Sequence, residues 1–370
     1  MNPSTATLDS LHSTIQAISH EFAISGDFVE GHEIDSGHIN ATYIVTYERE
    51  GGERRRYILQ RINENVFKDP LVVMHNVECV TDHINGKVLR GKRDLGGQTL
   101  TLYPSRTGEL YVAGDGGGVW RCYNFIEGCH TYDVVETSRQ AYQAARAFGS
   151  FQDLISDIPV EGVLETIADF HNTPQRYARL MEVVELDPVG RLNLVAGELA
   201  FVKQRQELCS ALVKLAAEGS LPQRITHNDT KINNVMMDSK TDEAVCVIDL
   251  DTVMPGLSLY DFGDLVRTAT SPAAEDEADL NKVEMRMEIF EALAEGYLDG
   301  CHCLTECEVS NLVTGGEVIT LETGIRFLTD YLEGDSYFKV DHPRQNLDRC
   351  RTQFKLLESI EGQAELMRGF

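Results

Sequence analysis

Apolar residues recur at three- and four-residue intervals at Leu8, Leu11, Ile15, Ile18 and Phe22, which predicts an N-terminal helix with one apolar stripe. The pattern then changes to short β-prone runs, Phe28 to Ile34, Thr42 to Tyr47 and Tyr57 to Ile62, with turns at Asp35-Ser36-Gly37 and Glu50 to Glu53. Three such runs joined by tight turns predict an antiparallel meander. Val72, Val73, Val77, Val80 and Ile84 mark a helix beginning after Pro70, with Glu78 in its middle. Thr99 to Tyr103, Glu109 to Ala113 and Val119 to Phe125 predict two or three further strands, and Gly114 to Gly118 a hairpin tip. Beyond Tyr123 to Gly128 the period becomes helical. A stripe at Tyr142, Ala145, Phe148, Phe151, Leu154 and Ile155 precedes one long helix over Leu194 to Ala217 and an acidic helix start at Ala274 to Asp279. The expected fold class is α+β: a sheet-rich N-terminal lobe over residues 1–124 and a mostly helical C-terminal lobe over 125–370.

One polar loop stands out against this background. Arg224-Ile225-Thr226 is a short strand, and His227, Asp229 and Asn234 follow it as H-x-D-x-x-x-x-N. Further on, Ala244 to Ile248 reads as a buried strand delivering Asp249 at its end. Two carboxylates and an amide oxygen are what phosphoryl transfer requires. One carboxylate, Asp229, orients and deprotonates an acceptor hydroxyl, while the other and the Asn oxygen hold Mg²⁺ against nucleotide phosphates. Lys231 is placed to stabilise charge on the transferring group, and His227 is expected to brace the loop. The competing reading is a loop whose Asp and Asn cap turns. Ser36 to Asn40 is similarly either a phosphate-covering loop or an ordinary hairpin turn, and His38 within it either a ligand contact or a solvated turn residue.

The composition narrows the function. In 370 residues, 42% are hydrophobic and the net charge is -26, with an isoelectric point near 4.7. Such a surface repels phosphate backbones and anionic lipids, so neither nucleic acid nor membrane is an expected partner. No long apolar run and no basic-then-apolar N-terminus occurs, and the cytoplasm is the expected compartment. The nine cysteines are expected to be reduced. Cys301-His302-Cys303 with Cys307 lacks a second ligand pair at zinc-site spacing and is expected to be a helix-to-helix connection.

The order of these features resembles the aminoglycoside phosphotransferase family, which has a two-lobed protein-kinase-like fold. The carriers are the Tyr123 to Gly128 connector, His227-Asn228-Asp229-Thr230-Lys231-Ile232-Asn233-Asn234 and Val247-Ile248-Asp249. Gly37 to Tyr43, Tyr57 to Gln60, Ile248 to Thr252 and Arg326 to Asp335 further resemble the branch that phosphorylates N-acetylhexosamines at O1. The resemblance implies ATP and Mg²⁺ as cofactors, a small sugar as substrate, and a monomer or small homo-oligomer. It implies Asp229 as catalytic base, Asn234 and Asp249 as metal ligands and Asp251 as a possible helper. Gly37, Ile39 and Asn40 would cover the phosphates, with the backbone of Phe125, Ile126 and Glu127 on adenine. His38, Arg326 and Tyr337 would hold the sugar. Arg326 has an alternative, an ion pair with Asp330 on the same helix. Kinases of this architecture pair a third-strand Lys with the helical Glu. Here that strand offers Gln60 and Arg61, and the register decides which of them reaches phosphate. Asp261-Phe262-Gly263 imitates a metal motif but lies too far beyond the strand, so Asp261 is expected to be structural. Two other readings stay open: another small-molecule kinase of this fold (homoserine, methylthioribose or aminoglycoside), and a catalytically silent nucleotide-binding module.

Overall fold

The computed structural model describes residues 3–34, 39–90, 99–114 and 117–370, without the side chains of residues 3–11. The expected phosphate-covering residues Ser36, Gly37 and His38 lie outside this description, as do the side chains of Leu8 and Leu11. The chain divides into two compact units, and later segments return to the first: residues 1–129 are joined by 161–167 and 248–253.

In the first unit, helix α1 (Pro3–His20) precedes β1 (Asp27–Glu33), β2 (Ala41–Glu48) and β3 (Arg54–Arg61). Helix α2 (Pro70–Leu89), β4 (Val112–Ala113) and β5 (Val119–Asn124) complete it. The sheet order is β1-β2-β3-β5-β4, antiparallel throughout. Ile15, Ile18 and Phe22 pack with Tyr43, Val45, Tyr47, Tyr57, Leu59 and Trp120 on one face of it. The expected strand at Thr99 to Tyr103 is reduced to an isolated bridge from Leu102 to Tyr123. Helix α2 starts where Asp69 accepts the Leu71 and Val72 N–H groups, with Pro70 at its first position. Val73, Val77 and Val80 are fully buried along it. The buried Asn76 breaks that apolar stripe for a reason. Its amide donates to the carbonyls of Leu164 (2.7 Å) and Val253 (2.9 Å), and its oxygen accepts the Leu164 N–H. Asn76 thereby ties both returning segments into the first unit.

The second unit is mostly helical. After the two-residue β6 (Cys129–His130) come α3 (Ser138–Ile155), α4 (Thr173–Leu186), α5 (Ala196–Gln204) and α6 (Ala211–Ala217). Short strands follow: β7 (Arg224–Thr226), β8 (Val235–Asp238), β9 (Ala244–Val247) and β10 (Met254–Gly256). The remaining helices are α7 (Ser258–Ala269), α8 (Met287–Gly300), α9 (Glu306–Ser310), α10 (Leu312–Glu333) and α11 (Gln345–Gly369). Helix α3 opens on a capping box between Thr137 and Gln140. The long helix expected over Leu194 to Ala217 is broken between α5 and α6. Leu199 and Val202 face one apolar cluster with α4 and α10, whereas Leu212 joins another with α3 and α7. A straight helix could not serve both. The acidic stretch from Ala274 is not helical. Glu275 pairs with Arg267 and Arg349, and Asp276 accepts from Gln345, so tertiary partners hold it as turns. Strand β9 is half-buried rather than buried.

Candidate active site

Strand β7 is held by β10, with Met254 opposite Thr226, and the polar loop begins where β7 ends. Asn228 adopts a left-handed φ of 62°, a conformation that Asn tolerates better than most residues. Asp261, on α7, fixes the loop from behind: its carboxylate accepts the N–H groups of His227 (2.9 Å) and Asn228 (2.7 Å), and its carbonyl accepts the Thr230 hydroxyl (2.5 Å). Burial pushes the Asp261 carboxyl up to about 7, against the pull of those two donors. Asp261 thus braces the loop backbone. The His227 ring sits edge-on between Phe148 and Phe151.

The chemistry at Asp229 is local to the loop. Its Oδ2 meets Lys231 Nζ at 3.0 Å and accepts Asn234 Nδ2 at 3.1 Å, and the same amide donates to the Asp229 carbonyl at 2.9 Å. Asp229 Oδ1 takes no hydrogen bond among the described residues. Burial raises the carboxyl's pKa, but the charge and hydrogen bond of Lys231, with His227 and Arg267, outweigh it and hold the net value below the usual range. With Asn234 Nδ2 committed to Asp229, its Oδ1 is the atom left for a ligand. An oxygen donor there suits a hard divalent cation. Asp249, which follows β9, is exposed and sits in a left-handed conformation (φ 62°, ψ 61°).

A second layer that the sequence did not reveal supports the loop. The fully buried Glu322 of α10 accepts the Thr173 hydroxyl (2.6 Å) and pairs with His171 Nδ1 (2.8 Å). The other His171 nitrogen stands 3.4 Å from the carbonyl of Asn228. One turn along α10, the Arg326 guanidinium lies 5.3 Å from the Phe170 ring and 5.6 Å from the Phe338 ring. It does not pair with Asp330. That carboxylate is taken by the N–H groups of Ser336, Tyr337 and Phe338 and by Asn346, which close the turn after α10. Arg326 and the exposed Tyr337 border a cavity of about 220 Å³ together with Arg176 and Thr329. Arg176 donates to the carbonyls of Asp169 and Phe170 at 3.1 Å. Its pKa is lowered by burial and then by the Arg326 charge. Arg179, also on the rim, is paired with Glu182 and Glu333. Asp330 and Glu333 also line the cavity, but both are engaged elsewhere, so among the described residues Arg176 and Arg326 have no carboxylate ion pair there.

Within the first unit, Asp251 is engaged on both sides. Arg121 meets it at 2.5 Å, both side chains being almost wholly buried, and Asn40 Nδ2 donates to it at 2.6 Å. Arg121 also donates twice to Gln60 Oε1 (3.0 and 2.9 Å), and Gln60 donates to Thr42. Gln60 and Arg121 face each other in the β3–β5 register. The Lys–Glu pair of protein kinases thus has no counterpart on β3: Gln60 is an internal strut, Glu78 is exposed, and the buried cation is Arg121 on β5. The signal for it was a lone Arg inside the apolar run Val119 to Phe125. Ile39 offers its carbonyl to Asn63. Ile126 is buried, while Glu127 pairs with Arg56, whose guanidinium lies 3.9 Å from the Phe125 ring.

Residues 30–297 match the phosphotransferase enzyme family. The chain is a member of that family. Its fold is shared by solved small-molecule kinases that are distant in sequence. A microcompartment-associated aminopropanol kinase is 17% identical with a TM-score of 0.61, over 96% of this chain and 98% of the other. An aminoglycoside phosphotransferase from Alicyclobacillus acidocaldarius is 14% identical with a TM-score of 0.61, over 95% and 96%. An amicoumacin kinase, solved with AMP-PNP, Ca²⁺ and Ami, is 16% identical with a TM-score of 0.58, over 93% and 92%. The α+β, kinase-like fold expected from the sequence is therefore the fold of this phosphotransferase. Among its described residues, no helix is long and apolar enough to cross a membrane.

Proposed function

We propose that this phosphotransferase moves the γ-phosphoryl group of ATP to the O1 hydroxyl of an N-acetylhexosamine, N-acetylglucosamine or N-acetylgalactosamine. The observation that carries the kinase reading is Asp229, anchored through Oδ2 by Lys231 and Asn234 and left with Oδ1 to accept a proton. In this mechanism Asp229 Oδ1 takes the proton of O1, the O1–phosphorus bond forms as the bond to ADP breaks, and Lys231 offsets charge on the group in flight. Asn234 Oδ1 and the Asp249 carboxylate would hold Mg²⁺, which when bound supplies charge neutralisation on the phosphates. The amicoumacin kinase's complex with AMP-PNP and Ca²⁺ supports a nucleotide and a divalent cation as cofactors here.

The acceptor is narrowed by the cavity beside Arg326. Its two lining carboxylates are already engaged, Asp330 by the turn after α10 and Glu333 by Arg179, so Arg176 and Arg326 disfavour a cationic amino alcohol or aminoglycoside and suit hydroxyl and acetamide oxygens. Resemblance over Arg326 to Asp335 supports the same acceptor class. The test is ADP release from full-length protein with Mg-ATP across N-acetylglucosamine, N-acetylgalactosamine, homoserine, methylthioribose and an aminoglycoside, with phosphorus NMR to place the phosphate. Turnover with the two acetamido sugars and an anomeric phosphate signal is expected. Turnover confined to amine-bearing acceptors would refute the sugar assignment, and none with any acceptor would refute phosphotransfer itself.

A further inference from the structure

Between α8 and α9 the chain passes through Cys301-His302-Cys303, which the proposed phosphoryl-transfer chemistry does not use. None of the nine cysteines is in a disulfide. Cys301 is buried and Cys303 half-buried, and their sulfurs stand 3.5 Å apart. Arg224 lies on one side of the pair. Its Nη2 donates to the Cys303 carbonyl at 2.6 Å, and its guanidinium grips Glu308 at 2.6 and 2.8 Å. Glu308 also accepts the Ser258 hydroxyl at 2.6 Å. Arg224 opens β7, which runs straight into the Asp229 loop, and Ser258 opens α7, which carries Asp261. The cysteine segment is therefore joined to both elements that hold the loop.

The two thiols are not equivalent. The hydrogen bond with Cys301 lowers the pKa of Cys303 against the effect of burial, and the Arg224 charge adds to it. The same hydrogen bond, and then burial, raise Cys301. A half-buried thiol whose ionisation is favoured, with a second thiol in contact at 3.5 Å, is the arrangement of an attacking and a resolving cysteine. The Asp153 carboxylate also lies within 4.8 Å of both sulfurs, so two thiols and one carboxylate make a rival soft-metal set. The dithiol reading is favoured because Arg224 already places a cation beside Cys303, and Asp153 accepts the His302 N–H at 2.8 Å.

We propose that Cys301 and Cys303 form a redox-responsive dithiol, closed by a peroxide into an intrachain disulfide that slackens the catalytic loop. Cys303 thiolate attacks one peroxide oxygen, the O–O bond breaks, and a sulfenic acid and hydroxide result, the latter taking a proton to become water. Cys301 then attacks the sulfenic sulfur and its proton leaves with the departing hydroxyl as a second water. Sulfur loses two electrons overall and peroxide gains them. Closing the bond draws the sulfurs from 3.5 Å to about 2.05 Å. That contraction pulls the Cys303 carbonyl off Arg224. The effect on turnover rests on the phosphotransfer reading, but the bond itself does not.

The experiment treats reduced full-length protein with hydrogen peroxide, maps thiols by peptide mass spectrometry and assays Mg-ATP turnover in parallel. The peptide holding both cysteines is expected to become lighter by about 2 Da. Turnover is expected to fall about tenfold, as slight loop misplacement does, and dithiothreitol restores both. Cys301→Ser is expected to form no disulfide and to accumulate a dimedone-trapped sulfenic acid at Cys303, whereas Cys303→Ser accumulates none at Cys301. Both thiols remaining alkylatable after peroxide would overturn the dithiol, as would zinc retained in one-to-one ratio that masks them. A disulfide without loss of turnover would overturn its link to the loop. Should the reduced protein phosphorylate no acceptor, the phosphotransfer reading fails, and the mass measurement still decides the dithiol.

Discussion

At the residue scale, two aspartates divide the work of the loop. Asp229 is held ionised by Lys231 and Asn234, so it can accept a proton at neutral pH. Replacing it by Asn removes the base and leaves the hydrogen-bonding frame. Turnover is expected to fall by about 10²–10⁴-fold, with nucleotide affinity by calorimetry little changed. Asp261 is the opposite case, since burial lifts its carboxyl from 3.8 to about 7. A raised folded pKa means that folding binds a proton. Its contribution to stability is complete below the unfolded value and is lost as pH rises through about 7. Urea unfolding from about pH 5 to pH 8 should show that decline, and Asp261→Asn should flatten it while costing ~1 kcal/mol for the lost loop hydrogen bond. An unchanged slope in the variant would assign the titration elsewhere. Asp229, Lys231 and Asn234 were legible in the sequence because their mutual contacts span one short loop. His171, Glu322, Arg176 and Arg121 were not, because each works through a partner far along the chain.

At the element scale, the second unit depends on helices that approach closely. A Cβ on Gly263 of α7 would stand 2.3 Å from the Gly315 carbonyl of α10, and one on Gly296 of α8 would stand 2.3 Å from the Tyr142 carbonyl of α3. These backbones touch where a methyl would have to fit. Gly263→Ala is expected to cost about 1–3 kcal/mol, seen as a lowered Tm, and to reduce turnover as well because α7 carries Asp261. Periodicity found the α2 and α3 stripes, since one apolar face per helix leaves a repeat. It missed the break between α5 and α6, because two clusters divide residues that follow one continuous pattern. It also missed the turns at Ala274 to Asp279, where Arg267, Arg349 and Gln345 bind the acidic side chains.

At the scale of the whole molecule, charge and cavity chemistry set what the protein meets. With a net charge of -26, like-charge repulsion favours solubility at neutral pH, and a solubility minimum is expected near pH 4.7. Arg176, Arg179 and Arg326 outnumber the carboxylates of Asp330 and Glu333 in the cavity lining, which makes it locally cationic on this acidic protein. Arg326→Ala is expected to raise the KM for an acetamido sugar about tenfold with the KM for ATP unmoved, the pattern of lost acceptor binding. An equal rise in both would place Arg326 outside the acceptor site. The sequence by itself determined the helices and strands with one clear apolar face, the α+β class and the Asp229 loop, because local periodicity and short-range polar spacing survive in one dimension. Only the tertiary structure decided that Asp261 braces the loop, that Arg121 holds Asp251, and that Asp330 is spent on a turn rather than on Arg326. Each of those depends on which distant residue fills a buried carboxylate's hydrogen bonds, and that follows from packing and register alone.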